Sequence, residues 1–196
     1  MNFYIVRHGE TLFNVTHRVQ GQCDSPLTNK GIAQAKALGI GLKDIPFACA
    51  YSSTSERAYD TAYYIVAGKN IDIIRLKSLK ELYFGTWEGS KERDLPIDKD
   101  TPLDYLKSFG GESIPEATNR FTQALLDIAA KQKETDHVLI VSHGAIISFF
   151  LQAVATPEWK NKLHEMGPIE NGSVSLVHVQ NQKFTIESVS DTSYRS

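Results

Sequence analysis

Near its start the sequence runs Phe3-Tyr4-Ile5-Val6-Arg7-His8-Gly9-Glu10-Thr11, an apolar stretch that changes at once into polar residues. The first four residues are β-prone and apolar, which is typical of a strand buried on both faces of a sheet. Ligands bind beyond the carboxyl ends of strands in open α/β sheets. The stretch therefore predicts a first strand that delivers Arg7 and His8 to a ligand-binding edge.

The rest of the chain alternates between strand and helix patterns, which favours a parallel sheet. We predict an α/β three-layer sandwich with a mostly parallel central sheet flanked by helices. The predicted strands are residues 47–51, 71–76 and 138–141, and the predicted helices are residues 29–42, 56–66, 113–133 and 145–155. Residues 174–179 and 184–189 alternate like paired strands around Asn181-Gln182.

Residues 82–111 break this pattern with aromatic and charged residues, glycines, Pro96 and Pro102. Such segments are typical of elaborated loops that carry specificity. We predict a small cap insertion there. The sequence has no internal repeat and no linker-like tract, so we expect one domain spanning residues 1–196.

Composition excludes several classes of function. The chain has 21 Lys and Arg against 23 Asp and Glu, a formal net charge of −2, so no overall positive field attracts nucleic acids. Cys23 and Cys49 lack CxxC spacing, which suits a reducing compartment and argues against a structural zinc site. Neither a signal peptide nor an apolar run of about 18 residues is present, so we expect a cytoplasmic protein without membrane contact.

Two further polar residues follow predicted strands. His143 follows the strand at residues 138–141, and Arg57 lies just after the strand at residues 47–51. Each residue taken alone is more often a structural or surface residue than a catalyst. Together with Arg7 and His8, however, they would place two guanidinium groups and two imidazoles around a compact dianion.

Phosphoryl transfer needs a nucleophile, cationic groups and an acid for the leaving oxygen. A neutral imidazole serves as nucleophile when its other nitrogen is held by a hydrogen bond. Glu81 follows the third predicted strand, close to an aromatic cluster, and is a candidate acid. Its alternative role is that of a solvated loop carboxylate. The chain has no nucleotide-binding glycine loop and no HExxH motif, so we expect neither a cofactor nor a metal.

These residues resemble the histidine phosphatase superfamily, the phosphoglycerate-mutase-like fold. The hallmark of that family stands here as Arg7-His8-Gly9-Glu10-Thr11. The match covers most of residues 3–150 and continues through Asn14, Arg18, Gln20-Gly21, Asp24, Pro26-Leu27-Thr28, Gly31, Gln34-Ala35, Tyr51-Ser52-Ser53, Arg57, Glu81 to Gly89, Gly110 to Ser113 and Val141 to Gly144. It becomes vague from Leu151, with Asn171-Gly172-Ser173-Val174 as a weak last block.

The resemblance implies a role for each matching residue. His8 would attack phosphorus and become phosphohistidine, and Glu81 would donate the proton to the leaving group. The residues implied to hold the phosphoryl oxygens are Arg7, Asn14, Arg57 and His143. Gln20 and Gly21 fall where family members often touch substrate, although a short loop there is equally consistent with a structural role.

Phosphatases and mutases of this family share the active centre. Mutases usually read Glu-Arg-His-Tyr-Gly where this chain has Glu81-Leu82-Tyr83-Phe84-Gly85, and only 61 residues separate Glu81 from His143. The comparison favours a metal-independent phosphomonoesterase acting on small organic phosphates, similar to the small bacterial broad-specificity and cobalamin-pathway phosphatases. The alternatives are a cofactor-dependent phosphoglycerate mutase and, less favoured, a non-catalytic binding module.

The aromatic residues after Glu81 and the hairpin near the C-terminus bear on substrate and partners. Tyr83, Phe84 and Trp87 would offer an apolar surface to the leaving group, or would instead pack the cap against the core. The apolar hairpin near the C-terminus lies at a sheet edge in this scheme, so a homodimer is possible. The expected partner is a small-molecule phosphate ester.

Overall fold

The computed structural model describes residues 1–96 and 101–195, and within them one sheet of six strands. The strands are β1 (Asn2–Arg7), β2 (Phe47–Ser53), β3 (Ile73–Leu76), β4 (His137–Ser142), β5 (Val174–Gln180) and β6 (Lys183–Asp191). Their order is β3-β2-β4-β1-β5-β6. The first four are mutually parallel, and β5 runs antiparallel to both β1 and β6. The predicted mostly parallel sheet is confirmed.

Helices cover both faces of this sheet. They are α1 (Leu12–Val15), α2 (Asn29–Gly41), α3 (Glu56–Ile65), α4 (Ile114–Ala129), α5 (Gly144–Val154) and α6 (Pro157–Met166). Two of the longer helices begin at side-chain caps. Thr28 accepts from the Gly31 amide at the start of α2, and Ser113 forms a capping box with Glu116 at the start of α4. The prediction missed α1 and α6. The first has only four residues, and the second has no fully buried residue: Trp159 and Leu163, four positions apart, pack against the core only in part.

Two predicted elements extend beyond the ones observed. Helix α4 ends at Ala129 instead of residue 133, and β3 begins at Ile73 instead of residue 71. Residues 130–133 include three polar side chains beyond the last buried residue of α4. Ile71 packs on the core but precedes Ile73, the first residue of β3 that pairs with β2.

The core consists of two apolar layers, one on each side of the sheet. Phe121 of α4 and Phe150 of α5 pack in one layer, and Leu38 of α2 and Ile65 of α3 pack in the other. Strand β4 supplies side chains alternately to both layers, which is why its sequence is a continuous apolar run. This arrangement is the predicted three-layer sandwich.

A close approach of two backbone segments explains a pair of glycines. A Cβ on Gly9 would lie 2.5 Å from the carbonyl oxygen of Gly31, and one on Gly31 would lie 2.0 Å from that of Glu10. The loop after β1 therefore packs directly on the first turn of α2. Gly31, which weakens the helix pattern in the sequence, is required by this contact.

The predicted cap, residues 82–111, contains 3₁₀ turns at Gly85–Trp87, Glu92–Asp94 and Tyr105–Phe109, and its residues 97–100 lie outside the described residues. The Trp87 and Phe109 rings meet edge to face with centroids 5.5 Å apart. The cap is therefore held in part by its own aromatic side chains.

The hairpin between β5 and β6 turns at Asn181 and Gln182, whose φ angles of 49° and 61° are those of a two-residue left-handed turn. Its outer strand β6 forms one edge of the sheet. Among the helices of the described residues, none has the length and apolar character to cross a membrane.

Candidate active site

Parallel pairing brings the two sequence-predicted histidines together. In the register of β1 and β4, Arg7 lies opposite Ser142, so His8 and His143 leave the sheet side by side. Their ring centroids are 5.2 Å apart, and both side chains are buried. The shared strand edge predicted from the sequence is present.

His8 is held in one tautomer. Its Nδ1 lies 2.8 Å from the Gly9 carbonyl oxygen, which can only accept, so Nδ1 carries the proton. Nε2 is then unprotonated and accepts a hydrogen bond from Arg57 Nε at 3.2 Å. Burial, followed by the charges of Arg57 and Arg7, holds the pKa of His8 well below its ordinary value. The imidazole is therefore neutral, and the lone pair at Nε2 is held by Arg57.

Arg57, in the first turn of α3, is fixed by the loop that precedes α2. Its Nη1 donates to Asp24 Oδ1 at 2.9 Å and to the Cys23 carbonyl at 2.8 Å, and its Nη2 donates to the Gly21 carbonyl at 2.7 Å. The Arg57 side chain is 1% exposed and Asp24 is its ion-pair partner. Sequence reasoning placed Asp24 only in a motif, without a role.

Gly21 and Gln20 contribute mainly to the architecture of this loop. Gly21 has a φ of +54° and supplies its carbonyl to the guanidinium. The Gln20 amide accepts from Thr11 Oγ1 and donates to Ser25 Oγ, both at 3.0 Å. Both residues also line the cavity described below.

Asn14 presents an amide nitrogen whose orientation is set by its neighbours. Its Oδ1 accepts from the Thr11 amide at 3.0 Å and from Asn171 Nδ2 at 3.2 Å. Within the described part of the chain its Nδ2 has no hydrogen-bond partner, and Asn14 lines the cavity. Asn171 also donates to the His8 carbonyl at 3.1 Å, so this residue from the weakest family block orients Asn14.

Arg7, like Asn14, is held in place by its neighbours and keeps a donor available. Its Nη1 donates to the Ile169 carbonyl, and its buried Nε has no partner among residues 1–96 and 101–195. The guanidinium faces the cavity with donors still available for an anion.

His143 is oriented by Ser53, at the end of β2. Ser53 Oγ accepts from the Ser55 amide at 3.0 Å and lies 2.8 Å from His143 Nε2. The other ring nitrogen of His143, Nδ1, is buried and unpartnered in the part of the chain that the structure describes. Burial first, and then Arg57, hold the pKa of His143 well below its ordinary value. The ring is a neutral donor beside His8, although it does not itself line the cavity.

Glu81 lies at the amino end of α5, a setting that differs from the aromatic one expected from the sequence. Its Oε1 accepts from the amides of Leu82 at 2.9 Å and Ile146 at 2.8 Å, and its Oε2 accepts from Ala145 at 2.9 Å. The carboxylate thus occupies the N-terminus of α5, where His143 makes no side-chain cap. Oε2, with a single backbone donor, is the oxygen left for proton exchange.

A cavity of about 200 Å³ lies between these groups. It is lined by Arg7, His8, Asn14, Arg18, Val19, Gln20, Gly21, Arg57, Glu81, Phe84, Glu92, Leu95 and Ala145. Phe84 is the cap aromatic that faces it, whereas Trp87 packs on Phe109 and Tyr83 is not part of the lining. Arg18 and Glu92 add one positive and one negative charge to the wall. No motif or pattern in the sequence predicts Glu92 at this site.

In the described residues no cluster of three or more His, Cys, Asp or Glu side chains could hold a metal ion. The cavity instead offers a neutral imidazole nucleophile, guanidinium and amide donors, and a carboxyl group. That set can bind a phosphoryl group and exchange it.

Comparisons with known proteins agree with this chemistry. The family model of the histidine phosphatase superfamily, branch 1, matches residues 3–192. A metal-independent phosphoserine phosphatase of Arabidopsis thaliana is 33% identical over 205 residues, covering 98% of this chain and 82% of the relative. An adenosylcobalamin/alpha-ribazole phosphatase of Salmonella typhimurium is 33% identical over 163 residues, covering 80% of each chain.

Among solved structures, a phosphoglycerate mutase from Bacillus anthracis str. Sterne superposes with a TM-score of 0.84 at 33% identity. The match covers 100% of this chain and 95% of that one. Each of the two phosphatases and the mutase is thus identical to this chain at a third of the aligned residues, and the mutase has the same fold. The chain belongs to branch 1 of the histidine phosphatase superfamily.

Proposed function

We propose that this protein is a metal-independent phosphomonoesterase that hydrolyses small organic phosphates through a phosphohistidine on His8. The observation that carries the proposal is the tautomer of His8. The Gly9 carbonyl fixes the proton on Nδ1, and the depressed pKa keeps the ring neutral, so Nε2 is a nucleophile in the cavity.

In the first step, His8 Nε2 forms a bond to phosphorus while the bond from phosphorus to the ester oxygen breaks. Arg57 and Arg7 would neutralise the phosphoryl oxygens and the Asn14 amide would donate to them, with His143, in its Nδ1-protonated tautomer, as a further donor behind His8. Protonated Oε2 of Glu81 would give its proton to the leaving alkoxide. The products are phosphohistidine and a free alcohol.

In the second step, water replaces the alcohol. The Glu81 carboxylate takes a proton from water as the water oxygen bonds to phosphorus and the bond to Nε2 breaks. Inorganic phosphate leaves, and both residues return to their starting states. Because a hydroxyl of a second substrate could accept the phosphoryl group in place of water, this second step separates a phosphatase from a mutase.

Three features support hydrolysis. Leu82, at the position where mutases of the family carry Arg, is buried in the core and offers no donor to a carboxylate. Tyr83, at the position of their His, is absent from the cavity wall. The cavity is also small, at about 200 Å³. The alternative, a phosphoglycerate mutase, is favoured by the likeness to the Bacillus anthracis structure.

The mouth of the cavity supports small substrates that combine polar and apolar parts. Arg18 and Glu92 provide opposite charges, while Phe84, Leu95 and Val19 provide apolar surface. An ester of a small amino acid fits such a wall, with Arg18 toward its carboxylate and Glu92 toward its ammonium group. The relatives named as phosphoserine and alpha-ribazole phosphatases indicate which esters to test first.

The proposal is tested by supplying 4-nitrophenyl phosphate, O-phosphoserine and 3-phosphoglycerate in the presence of a chelator. Phosphate release and isomerisation of 3-phosphoglycerate are followed separately, with and without 2,3-bisphosphoglycerate. We expect phosphate release from the first two esters, and His8→Ala should abolish both release and acid-labile protein phosphorylation. Isomerisation faster than release would assign the protein to the mutases.

We further propose a cytoplasmic homodimer. Strand β6 has β5 as its only neighbour in the described sheet, so its outer edge is available for pairing with a second copy. Sedimentation of the purified protein over a range of concentrations tests this, and a monomer at all concentrations contradicts it.

A further inference from the structure

The segment that carries Glu81 is held by side-chain hydrogen bonds to its backbone carbonyls. Between β3 and the cap, the four consecutive carbonyl oxygens of residues 78–81 each accept a side-chain hydrogen bond. Leu79 O accepts from Ser142 Oγ at 2.8 Å, and the other three accept from Arg120. Such complete side-chain anchoring is unusual, because about two-thirds of protein hydrogen bonds join backbone to backbone.

Arg120 lies on α4 and makes five hydrogen bonds with its three guanidinium nitrogens. Its Nη1 reaches Ser78 O at 2.8 Å and Lys80 O at 2.9 Å, and its Nη2 reaches Glu81 O at 3.2 Å. Nε and Nη2 also donate to the two carboxylate oxygens of Glu112, each at 2.9 Å. This is the bidentate geometry that fixes an arginine most firmly.

Glu112 extends the clamp past Glu81. Its Oε2 accepts from the Tyr83 amide at 3.1 Å, and its own amide donates to the Tyr83 carbonyl at 2.9 Å. The side chains of Arg120 and Glu112 are 22% and 23% exposed, so the pair is partly shielded from water. Neither residue lines the cavity.

We propose that Arg120 and Glu112 are positioning residues for the proton donor, setting the direction of Glu81 Oε2 toward the leaving oxygen. The proposal rests on the proposed function, in which Glu81 is that donor. The pair holds the backbone on both sides of Glu81, while the amides of α5 hold its carboxylate. If the backbone around Glu81 were loosened, the carboxylate would stay bonded to the amides of α5 but would no longer point at the ester oxygen.

A positioning role predicts a kinetic pattern that a general loss of structure does not. Glu112→Gln keeps the shape of the side chain and removes its charge. Arg120→Lys keeps the positive charge and removes the bidentate guanidinium. We measure alcohol release in a single turnover, from O-phosphoserine and from 4-nitrophenyl phosphate. The first leaves as an alkoxide that needs a proton, whereas the second leaves without one.

Both variants should release serine about 10- to 100-fold more slowly, the range expected for small misplacement of a reacting group. Release of 4-nitrophenolate should change by less than about threefold, and KM should be little affected. In the Glu81→Ala background, Glu112→Gln should cause no further loss with O-phosphoserine, because the two residues act on one step. Glu158→Gln, which removes an exposed ion pair with Lys162, is the control and should match the wild type.

Equal slowing of both esters, or additive losses in the double variant, would overturn the proposal and reduce the pair to a structural brace. Single-turnover release reports phosphorylation of His8 regardless of the final acceptor. A mutase would therefore show the same ester dependence, and only the fate of the phosphoryl group would reveal that the proposed function is wrong.

Discussion

Arg57 Nε donates to His8 Nε2 over 3.2 Å, which joins the cation for the phosphoryl group to the nucleophile. The same guanidinium is fixed by Asp24 and by two loop carbonyls. The nucleophile is therefore oriented by Gly9 on one nitrogen and by Arg57 on the other. The loop before α2, far in sequence from Arg57, decides where this contact lies.

Asp24→Asn should lower kcat/KM for small phosphate esters by about tenfold, since it loosens a charge-assisted contact worth about 1.5–3 kcal/mol that positions Arg57. Inhibition by inorganic phosphate should weaken in parallel, because the same guanidinium binds both. Steady-state kinetics with 4-nitrophenyl phosphate measure the effect. Asp127→Asn, which alters an exposed contact with Gln123, is the control, and equal values for the two variants would remove Asp24 from the site.

Stability should fall as the pH drops below about 6.5. The pKa values of His8 and His143 are lowered in the folded protein, whereas both residues titrate near 6.5 in the unfolded chain. The unfolded state therefore binds more protons below that pH, and each histidine costs about 1.4 kcal/mol at pH 5.5. The loss continues as the pH falls toward the folded-state pKa values.

Urea unfolding between pH 7.5 and 5.5 measures this slope. His143→Gln removes one buried imidazole and should make the decline shallower by about half, whatever its effect on stability at pH 7.5. A slope unchanged in this variant would show that other groups cause the decline.

Glu81→Ala should affect both chemistry and stability. Loss of the proton donor should slow hydrolysis of alkyl esters by about 10²- to 10⁴-fold, with a much smaller effect on activated aryl esters. Loss of the carboxylate at the start of α5 should also cost about 1–2 kcal/mol of unfolding free energy, since three backbone amides lose their acceptor. Thermal unfolding and paired substrates measure the two effects, and equal slowing of both esters contradicts the acid role.

Gly31→Ala should destabilise the fold by about 3 kcal/mol or more, because the added Cβ would lie 2.0 Å from the Glu10 carbonyl oxygen. In an ordinary helix position the same change would stabilise by about 1 kcal/mol. Gly68→Ala is a control without crowding, although its positive φ carries a backbone cost of its own. Unfolding in urea should rank Gly31→Ala as the less stable, and the reverse order would contradict the close contact.

The sequence alone specified the strands and the shared edge. Strands β1 and β4 are buried on both faces, so their sequences are unbroken apolar runs, and parallel strands end at one edge. This reasoning brought His8, His143 and Arg57 together before any coordinates. Helix α6, by contrast, has no fully buried residue, and its short apolar pattern of Trp159 and Leu163 packs on the core only in part.

Only the tertiary structure decided how the groups at that edge are aimed. The orientation of the His143 ring depends on Ser53, and the amide of Asn14 depends on Asn171, which lies 157 residues away in the sequence. Glu81 proved to contact the amides of α5 where aromatic neighbours were expected. The periodicity of a sequence predicts which face of an element is buried, and its motifs indicate which residues take part in the active site. The direction of each hydrogen bond is set by partners that folding brings from distant segments.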